Sequence, residues 1–587
     1  MERERKYTGI GVSPGVAMAH AYVHRPAAID PPHRILPDGD AAPEWERLVA
    51  AKGVARHQIQ QMLDALGLEA SGGEGGILEA HLMTLDDEML IGALRREIFE
   101  KHHNAEWAVS DIASDFANRL RSSKNPLLAE RAGDITDVAR RLLRALMGTQ
   151  DTISFTFEDR RIVVAENLTP SEALSLPRDR VAGVALDRGG ITSHAALLVR
   201  ALGIPAVFGL GDFSSNVESD AIVAIDGNAG EALISPGENE EAHLNRLAAE
   251  REALIRTVRE RACEKVATPD GVEVRCMANI EDADGINELL MEGADGVGLF
   301  RTEYLWLSEG RPVEEDRQVE TYATAAKALV DRRLAIRAFD LGGDKFRGGA
   351  GMGKSEDNPF LGTRSIRFLL ANKTFFKIQI RAILRASAVA GRAIDFTIPM
   401  VSDIGELVQT RHLIEDCADE LAKRGTPYVL PRVGIMVEVP STALCARAFA
   451  SHCDYFSLGT NDLTQYTLAV DRCNASAAHL YQPLHPSVLS LVRMTVDAAG
   501  KASIGVSACG EMAGDPLSAL VLLGLGVREF SMAPSAIPLV KETFRRVPAA
   551  KAAKVATLLG SASTAKQIRH CARNILAHFA PEILRQC

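Results

Sequence analysis

The chain has 587 residues, 47% of them hydrophobic and 24% charged, with a formal net charge of −11. That length exceeds what one hydrophobic core can organise and points to several domains. It has no basic blocks, no apolar run of membrane-spanning length and no secretory leader, so no nucleic-acid or membrane role is expected and a cytoplasmic location is. The nine cysteines include no Cys-x-x-Cys pair, which argues against a zinc site and for a reducing compartment.

Residues 7–24 read as a β ribbon kinked by glycines. From 41 to 147 the pattern is helical. Trp45, Leu48, Val49, Ile59, Met62, Leu63 and Leu66 recur at 3-4 spacing before the glycine cluster Gly72–Gly76. Ile77, Leu78, His81, Leu82 and Leu85 open a second helix, and Met89, Leu90, Leu94 and Ile98 continue its period. Further helices are predicted over 105–121 and 130–147, giving an antiparallel bundle of four. Strand character returns at 152–166, with Arg161–Ala165 its clearest run, and again at 181–186, 206–208 and 221–225. The bundle is therefore expected as an insertion in a β/α domain.

Gly189 to Arg200 reads as a glycine turn, a capping pair (Thr192 and Ser193) and a helix. His194 falls in the first turn, where free N–H groups and the helix dipole favour a phosphate and a neutral, nucleophilic imidazole. The spacing predicts a phosphoryl acceptor; the plain alternative is a capped surface helix that begins with His. The charged stretch 238–268 reads as a connecting helix.

From 271 the pattern changes. Short apolar segments at 272–280, 295–300, 334–340, 396–401, 432–438, 455–459, 503–509 and 528–532 alternate with helices, which predicts a (β/α)8 barrel. The fold class is thus α/β. The expected domains are 1–35 with 148–237 (β/α), 36–147 (bundle), 238–268 (linker) and 269–587 (barrel). Barrel active sites lie at the strand C-termini. There the sequence sets Arg301, Arg337, Lys345, Glu438, Asn461, Asp462, Arg472 and Cys509. Arginines bind phosphate and carboxylate through two N–H groups at once. Glu438 and Asp462, on successive strands, offer Mg2+ two oxygens, the rest coming from water and ligand. A small, doubly anionic, metal-bound ligand is implied. Singly, each residue has a plain role in an ion pair, a cap or packing; the case rests on their convergence.

These motifs resemble Enzyme I of the phosphoenolpyruvate-dependent phosphotransferase system. The resemblance runs from Gly9–Gly15 to the C-terminal region. Its most specific runs are Gly189–His194, Leu299–Glu303, Asp340–Lys345, Asn358–Gly362, Gly434–Glu438 and Ser457–Arg472. It implies a phosphohistidine swivelling domain ahead of the barrel. His194 would be phosphorylated through Nε2, and Arg301, Arg337, Asn461 and Arg472 would hold phosphoenolpyruvate, with Lys345 and Arg364 as weaker candidates. Glu438 and Asp462 would bind Mg2+, and Cys509 would protonate the enolate to give pyruvate. It further implies transfer to the histidine phosphocarrier HPr, docked on the bundle, and a homodimer formed through the barrel. Asp86, Asp87 and Glu88 could face such a basic partner or could simply be solvated. Thr169 is a candidate hydrogen-bond partner of the histidine. Ile191 stands where Arg is frequent, and Cys473 where Gly is.

Four rivals stay open. A dikinase or phosphoenolpyruvate synthase would need an ATP-binding domain upstream, and no ATP site stands out. A phosphoenolpyruvate lyase or mutase would leave His194 idle. A nitrogen-related regulatory enzyme usually carries a sensory domain first, whereas this chain opens on the β ribbon, which favours the sugar branch. A scaffold would need no catalytic set.

Overall fold

The computed structural model describes residues 5–585 except 26–30, 38, 67–73, 122–125, 149–154, 156, 170, 171, 174, 191–193, 284, 310–312, 343–357, 473–476, 478 and 479. The chain divides into two units, one ending at Arg251 and the other beginning at Glu252.

The first unit is built on a sheet of eight strands: β1 (Arg5–Thr8), β2 (Ile10–Ser13), β3 (Val16–His24), β4 (Arg161–Ala165), β5 (Val181–Leu186), β6 (Ala206–Phe208), β7 (Ile222–Asp226) and β8 (Glu231–Ile234). Their order is β1-β8-β7-β3-β4-β5-β6-β2, with β3 to β6 parallel and the other neighbours antiparallel. β5 is buried along its whole length, as a strand covered on both faces must be. One face carries Ala195, Ala196 and Val199 of the helix His194–Ala201; the other carries Phe213 and Val217. The glycines of the ribbon have a cause. A Cβ on Gly11 would lie 2.1 Å from the carbonyl oxygen of Gly227.

The helical insertion joins β3 to β4, which are hydrogen-bonded neighbours. Among the described residues it holds five helices rather than the four the period predicts: α1 (Ala41–Leu66), α2 (Glu74–Leu85), α3 (Glu88–Phe99), α4 (Ala105–Arg121) and α5 (Pro126–Met147). The extra break falls at Asp87. Its backbone is extended and its carboxylate accepts from the N–H groups of Met89 (2.8 Å) and Leu90 (2.9 Å), which starts a new helix. Asp86 pairs with Lys52 at 2.9 Å and accepts from Arg56 at 2.7 Å, both on α1. Both aspartates therefore serve the bundle itself. α2 lies against the helix that His194 opens.

The connecting helix spans Glu238–Glu260 and stops short of the expected 268. Its end is fixed by side chains of the helix Ile537–Arg546. Lys541, fully buried, donates to the carbonyls of Ala262 (3.0 Å) and Gly293 (2.5 Å), and Arg545 to that of Arg261 (2.7 Å). Val266–Ala267 then forms β9, antiparallel to β10.

The second unit is a closed barrel of eight parallel strands: β10 (Glu273–Ile280), β11 (Gly296–Phe300), β12 (Arg333–Arg337), β13 (Asp395–Ile398), β14 (Val433–Val437), β15 (Tyr455–Leu458), β16 (Gly505–Ala508) and β17 (Glu529–Met532). β10 pairs with both β11 and β17, which closes it. One continuous apolar core fills the space between the barrel and its helices. Among the described residues no helix is long and apolar enough to cross a membrane.

Candidate active site at the barrel mouth

Because the strands are parallel, their C-terminal ends share one face. Arg301 and Glu303 follow β11, Arg337 ends β12, Glu438 follows β14, Asn461 and Asp462 open the helix Thr460–Leu468 after β15, and Cys509 follows β16.

Among the described residues four carboxylates are buried here, twice the number expected: Glu303, Asp340, Glu438 and Asp462. Three of them alternate with arginines in a chain of charge. Glu303 Oε1 accepts from Arg337 Nη2 at 2.5 Å, and that nitrogen lies 3.7 Å from Asp340. Asp340 takes Arg364 through two bonds, Nη2 at 2.8 Å and Nε at 3.3 Å. Arg364 Nη2 lies 3.5 Å from Asp462 Oδ2, and Arg472 Nη2 lies 3.9 Å from Oδ1. Burial disfavours the charge on Arg337 and Arg364, but the neighbouring carboxylates outweigh it and hold both firmly protonated.

Glu438 lies outside that chain. Its Oε1 accepts from the N–H of Met400 at 2.6 Å. Burial, then the charges of Asp462 and Asp340, push its pKa up to about 8 against the pull of Arg337 and Arg364. Asp462 Oδ1 is buried and accepts no hydrogen bond among the described residues. Two hard oxygen donors on neighbouring strand ends, short of positive charge, are a fit for a divalent cation. Gly459 makes room for this: a Cβ there would lie 2.6 Å from Glu438 Oε2.

Cys509 is 3% exposed and packs with Leu299 and Met436. The Ser457 hydroxyl donates to its sulfur at 3.2 Å. Burial raises its pKa, and Glu438 adds to this while Ser457, Arg337 and Arg301 oppose it. The thiol is therefore held as an acid. Asn461 accepts from the Glu511 N–H at 2.9 Å and donates to its carboxylate at 3.1 Å, fixing the turn after Cys509. Arg301 stands at the rim, 3.3 Å from Glu281.

His194 begins its helix in the first unit, and its backbone alone is described. Ile191, Thr192, Ser193, Lys345 and Cys473 lie outside the described residues. Thr169 accepts from the N–H of Glu172 at 3.3 Å, and Glu172 in turn pairs with His24 at 3.2 Å. Sequence reasoning assigned no role to Glu303 or Asp340. Both stand within the runs Leu299–Glu303 and Asp340–Lys345, and acidic residues beside strand-end arginines were the available signal.

Residues 8–131, 157–230 and 256–549 match, in order, family models described as PEP-utilising enzyme, N-terminal; PEP-utilising enzyme, mobile domain; and PEP-utilising enzyme, PEP-binding domain. Together with the barrel, these matches define a phosphoenolpyruvate-utilising α/β enzyme. The phosphoenolpyruvate-protein phosphotransferase of Geobacillus stearothermophilus is 36% identical over 571 residues, 96% of this chain and 97% of that one. The protein of that name from Bacillus subtilis is 36% identical over 535 residues, 90% of this chain and 92% of that one. A solution structure of Enzyme I is 29% identical, spanning 42% of this chain and 99% of its own, with a TM-score of 0.35. The chain belongs to the phosphoenolpyruvate-protein phosphotransferase family.

Proposed function

We propose that the chain moves the phosphoryl group of phosphoenolpyruvate to Nε2 of His194, releases pyruvate, and passes the group to a histidine phosphocarrier, HPr or its nitrogen-branch homologue. Arg301, Arg337, Asn461, Arg472 and Lys345 hold the substrate's phosphate and carboxylate. The phosphorus–oxygen bond breaks as the nitrogen–phosphorus bond forms, leaving an enolate. Cys509 gives its proton to C3 of that enolate. Glu438 and Asp462 hold the cation, Mg2+ in this reading, which supplies charge neutralisation to the transferring group. By the same resemblance to Enzyme I, the enzyme is cytoplasmic and a homodimer through its barrel.

The observation that carries this is the single face on which buried arginines, a cation-short carboxylate pair and a protonated thiol meet. Incubation with labelled phosphoenolpyruvate and Mg2+ gives an acid-labile, base-stable phosphoprotein, and His194→Ala abolishes the label. Label retained by that variant overturns the assignment. Adding candidate carriers to the labelled enzyme then separates the sugar branch from the nitrogen branch.

A further inference from the structure

The segment Arg337–Asp340 runs out of β12 into the mouth. It carries one proposed substrate arginine and the carboxylate that grips Arg364. Side chains take up much of its backbone hydrogen bonding. The Thr302 hydroxyl donates to the carbonyl of Arg337 at 2.9 Å, the N–H of Phe339 donates to Gln379 Oε1 at 3.1 Å, and the N–H of Asp340 donates to Glu303 Oε1 at 2.8 Å. Gln379 also donates to Thr302 at 3.1 Å, and all three clamping residues are buried.

Glu303 has a second task. The same Oε1 accepts from Arg337 Nη2, so one oxygen fixes that arginine's side chain and the backbone of Asp340 together. The Nε–H of Arg337 is buried and finds no acceptor among the described residues. An unpaired buried donor is costly, and a bound anion would satisfy it. On charge alone Glu303 is out of place, because it adds a carboxylate beside Asp340 at a site meant for an anion. Its geometry explains it.

We infer that Glu303 is a positioning residue: it aims Arg337 at the substrate and couples that arginine, through Asp340, to Arg364. The inference rests on the substrate reading above, with the acceptor oxygen mattering more than its charge.

The test is calorimetric binding of phosphoenolpyruvate with Mg2+ to the full chain carrying His194→Ala, where no phosphoryl transfer follows. Glu303→Ala weakens binding by about 10- to 100-fold, the usual cost of losing a residue that orients a ligand-binding side chain. Glu303→Gln, which keeps the acceptor, retains most of the affinity. On an Arg337→Ala background Glu303→Ala costs clearly less than it does alone, because the two variants lose the same Glu303–Arg337 bond and only the hold on Asp340 remains to be lost. Equal losses for Gln and Ala, or additive losses in the double variant, overturn the inference. If Glu303→Ala does not fold, Glu303→Asp, one methylene too short, takes its place with the same expectations. A parent chain that shows no binding overturns the substrate reading and this inference with it, an outcome distinct from the other two.

Discussion

Glu438 and Asp462 are buried carboxylates at adjacent strand ends, yet arginines reach only one of them. Arg364 and Arg472 lie 3.5 Å and 3.9 Å from Asp462, whereas Glu438 has no ion-pair partner among the described residues. The pair is thus built for a charge that protein side chains leave unsupplied.

Neutralising Glu438 should therefore stabilise the cation-free protein while removing its function. Burial and Asp462 raise the Glu438 pKa from 4.5 to about 8. The folded state then holds a proton that the unfolded chain gives up at lower pH. Stability is fully present below pH 4.5 and falls as the pH rises to about 8. Glu438→Gln keeps the acceptor for the Met400 N–H and escapes that loss. In cation-free buffer at pH 8 it should gain on the order of 4 kcal/mol, with the gain shrinking as the pH is lowered. Mg2+ should raise the wild-type melting temperature but not the variant's, and phosphorylation of the variant should fail. A variant less stable than wild type at pH 8 contradicts this account.

Cys509 carries the second expectation. Its raised pKa keeps the thiol protonated at neutral pH, the state a proton donor needs. Cys509→Ala should bind phosphoenolpyruvate normally and form pyruvate about 100- to 10,000-fold more slowly. Wild-type pyruvate formation should lose this donor only on the alkaline side, above the ordinary thiol range, because burial raises its pKa. Normal pyruvate release by the alanine variant would remove the thiol from the mechanism.

Much of this architecture was legible because it is periodic. Eight apolar segments alternating with helices announce the barrel, and the barrel announces which ends to read. What escaped is non-local. The bond between Arg337, at the end of its strand, and Glu303, just beyond the end of the neighbouring one, spans 34 positions, and no local spacing encodes it. The break at Asp87 hides inside an unbroken apolar period, because a capping carboxylate can interrupt the helix without disturbing the buried face. The end of the connecting helix at Glu260 depends on Lys541 and Arg545, nearly three hundred residues on, which take up the carbonyls beyond it. The shift of Glu438 follows from burial, which composition does not reveal.

Asp270 offers a pH test away from the active site. The helix Ala549–Leu559 follows Pro548, whose side chain has no hydrogen-bond acceptor, and Asp270 caps it from across the chain. The carboxylate accepts from the N–H groups of Ala549 and Ala550, each at 2.8 Å, and from Thr268 at 2.6 Å. Led by the Thr268 hydroxyl, these bonds lower its pKa from 3.8 to about 2. The contribution is present above pH 3.8 and is lost as the pH falls through about 2. Asp270→Ala should cost about 1 kcal/mol at neutral pH. The gap between the two denaturation midpoints should hold constant from pH 7 to about 4. A gap that closes already between pH 7 and 5 would assign the effect to another group.

Gly510 tests how tightly the Cys509 thiol is held. Its φ of −81° suits any residue, so backbone strain does not explain the glycine. Space does. A Cβ would lie 2.0 Å from Thr460 Oγ1, 2.9 Å from Asn461 Oδ1 and 3.0 Å from the Thr460 backbone nitrogen. The threonine hydroxyl can swing away, since it is buried without a hydrogen-bond partner among the described residues. The backbone nitrogen cannot. Gly510→Ala must therefore push the Cys509–Glu511 turn off Asn461, breaking the two bonds that hold it. Overpacking of this kind costs about 1–3 kcal/mol. Pyruvate formation should fall further than stability does, because Cys509 moves with the turn. Thr460→Ala should by itself be nearly neutral for stability, and combined with Gly510→Ala it should recover part of the folding free energy but little of the activity. Full recovery of activity in that double variant would mean that the hydroxyl, rather than the fixed backbone of the turn, sets the position of the thiol.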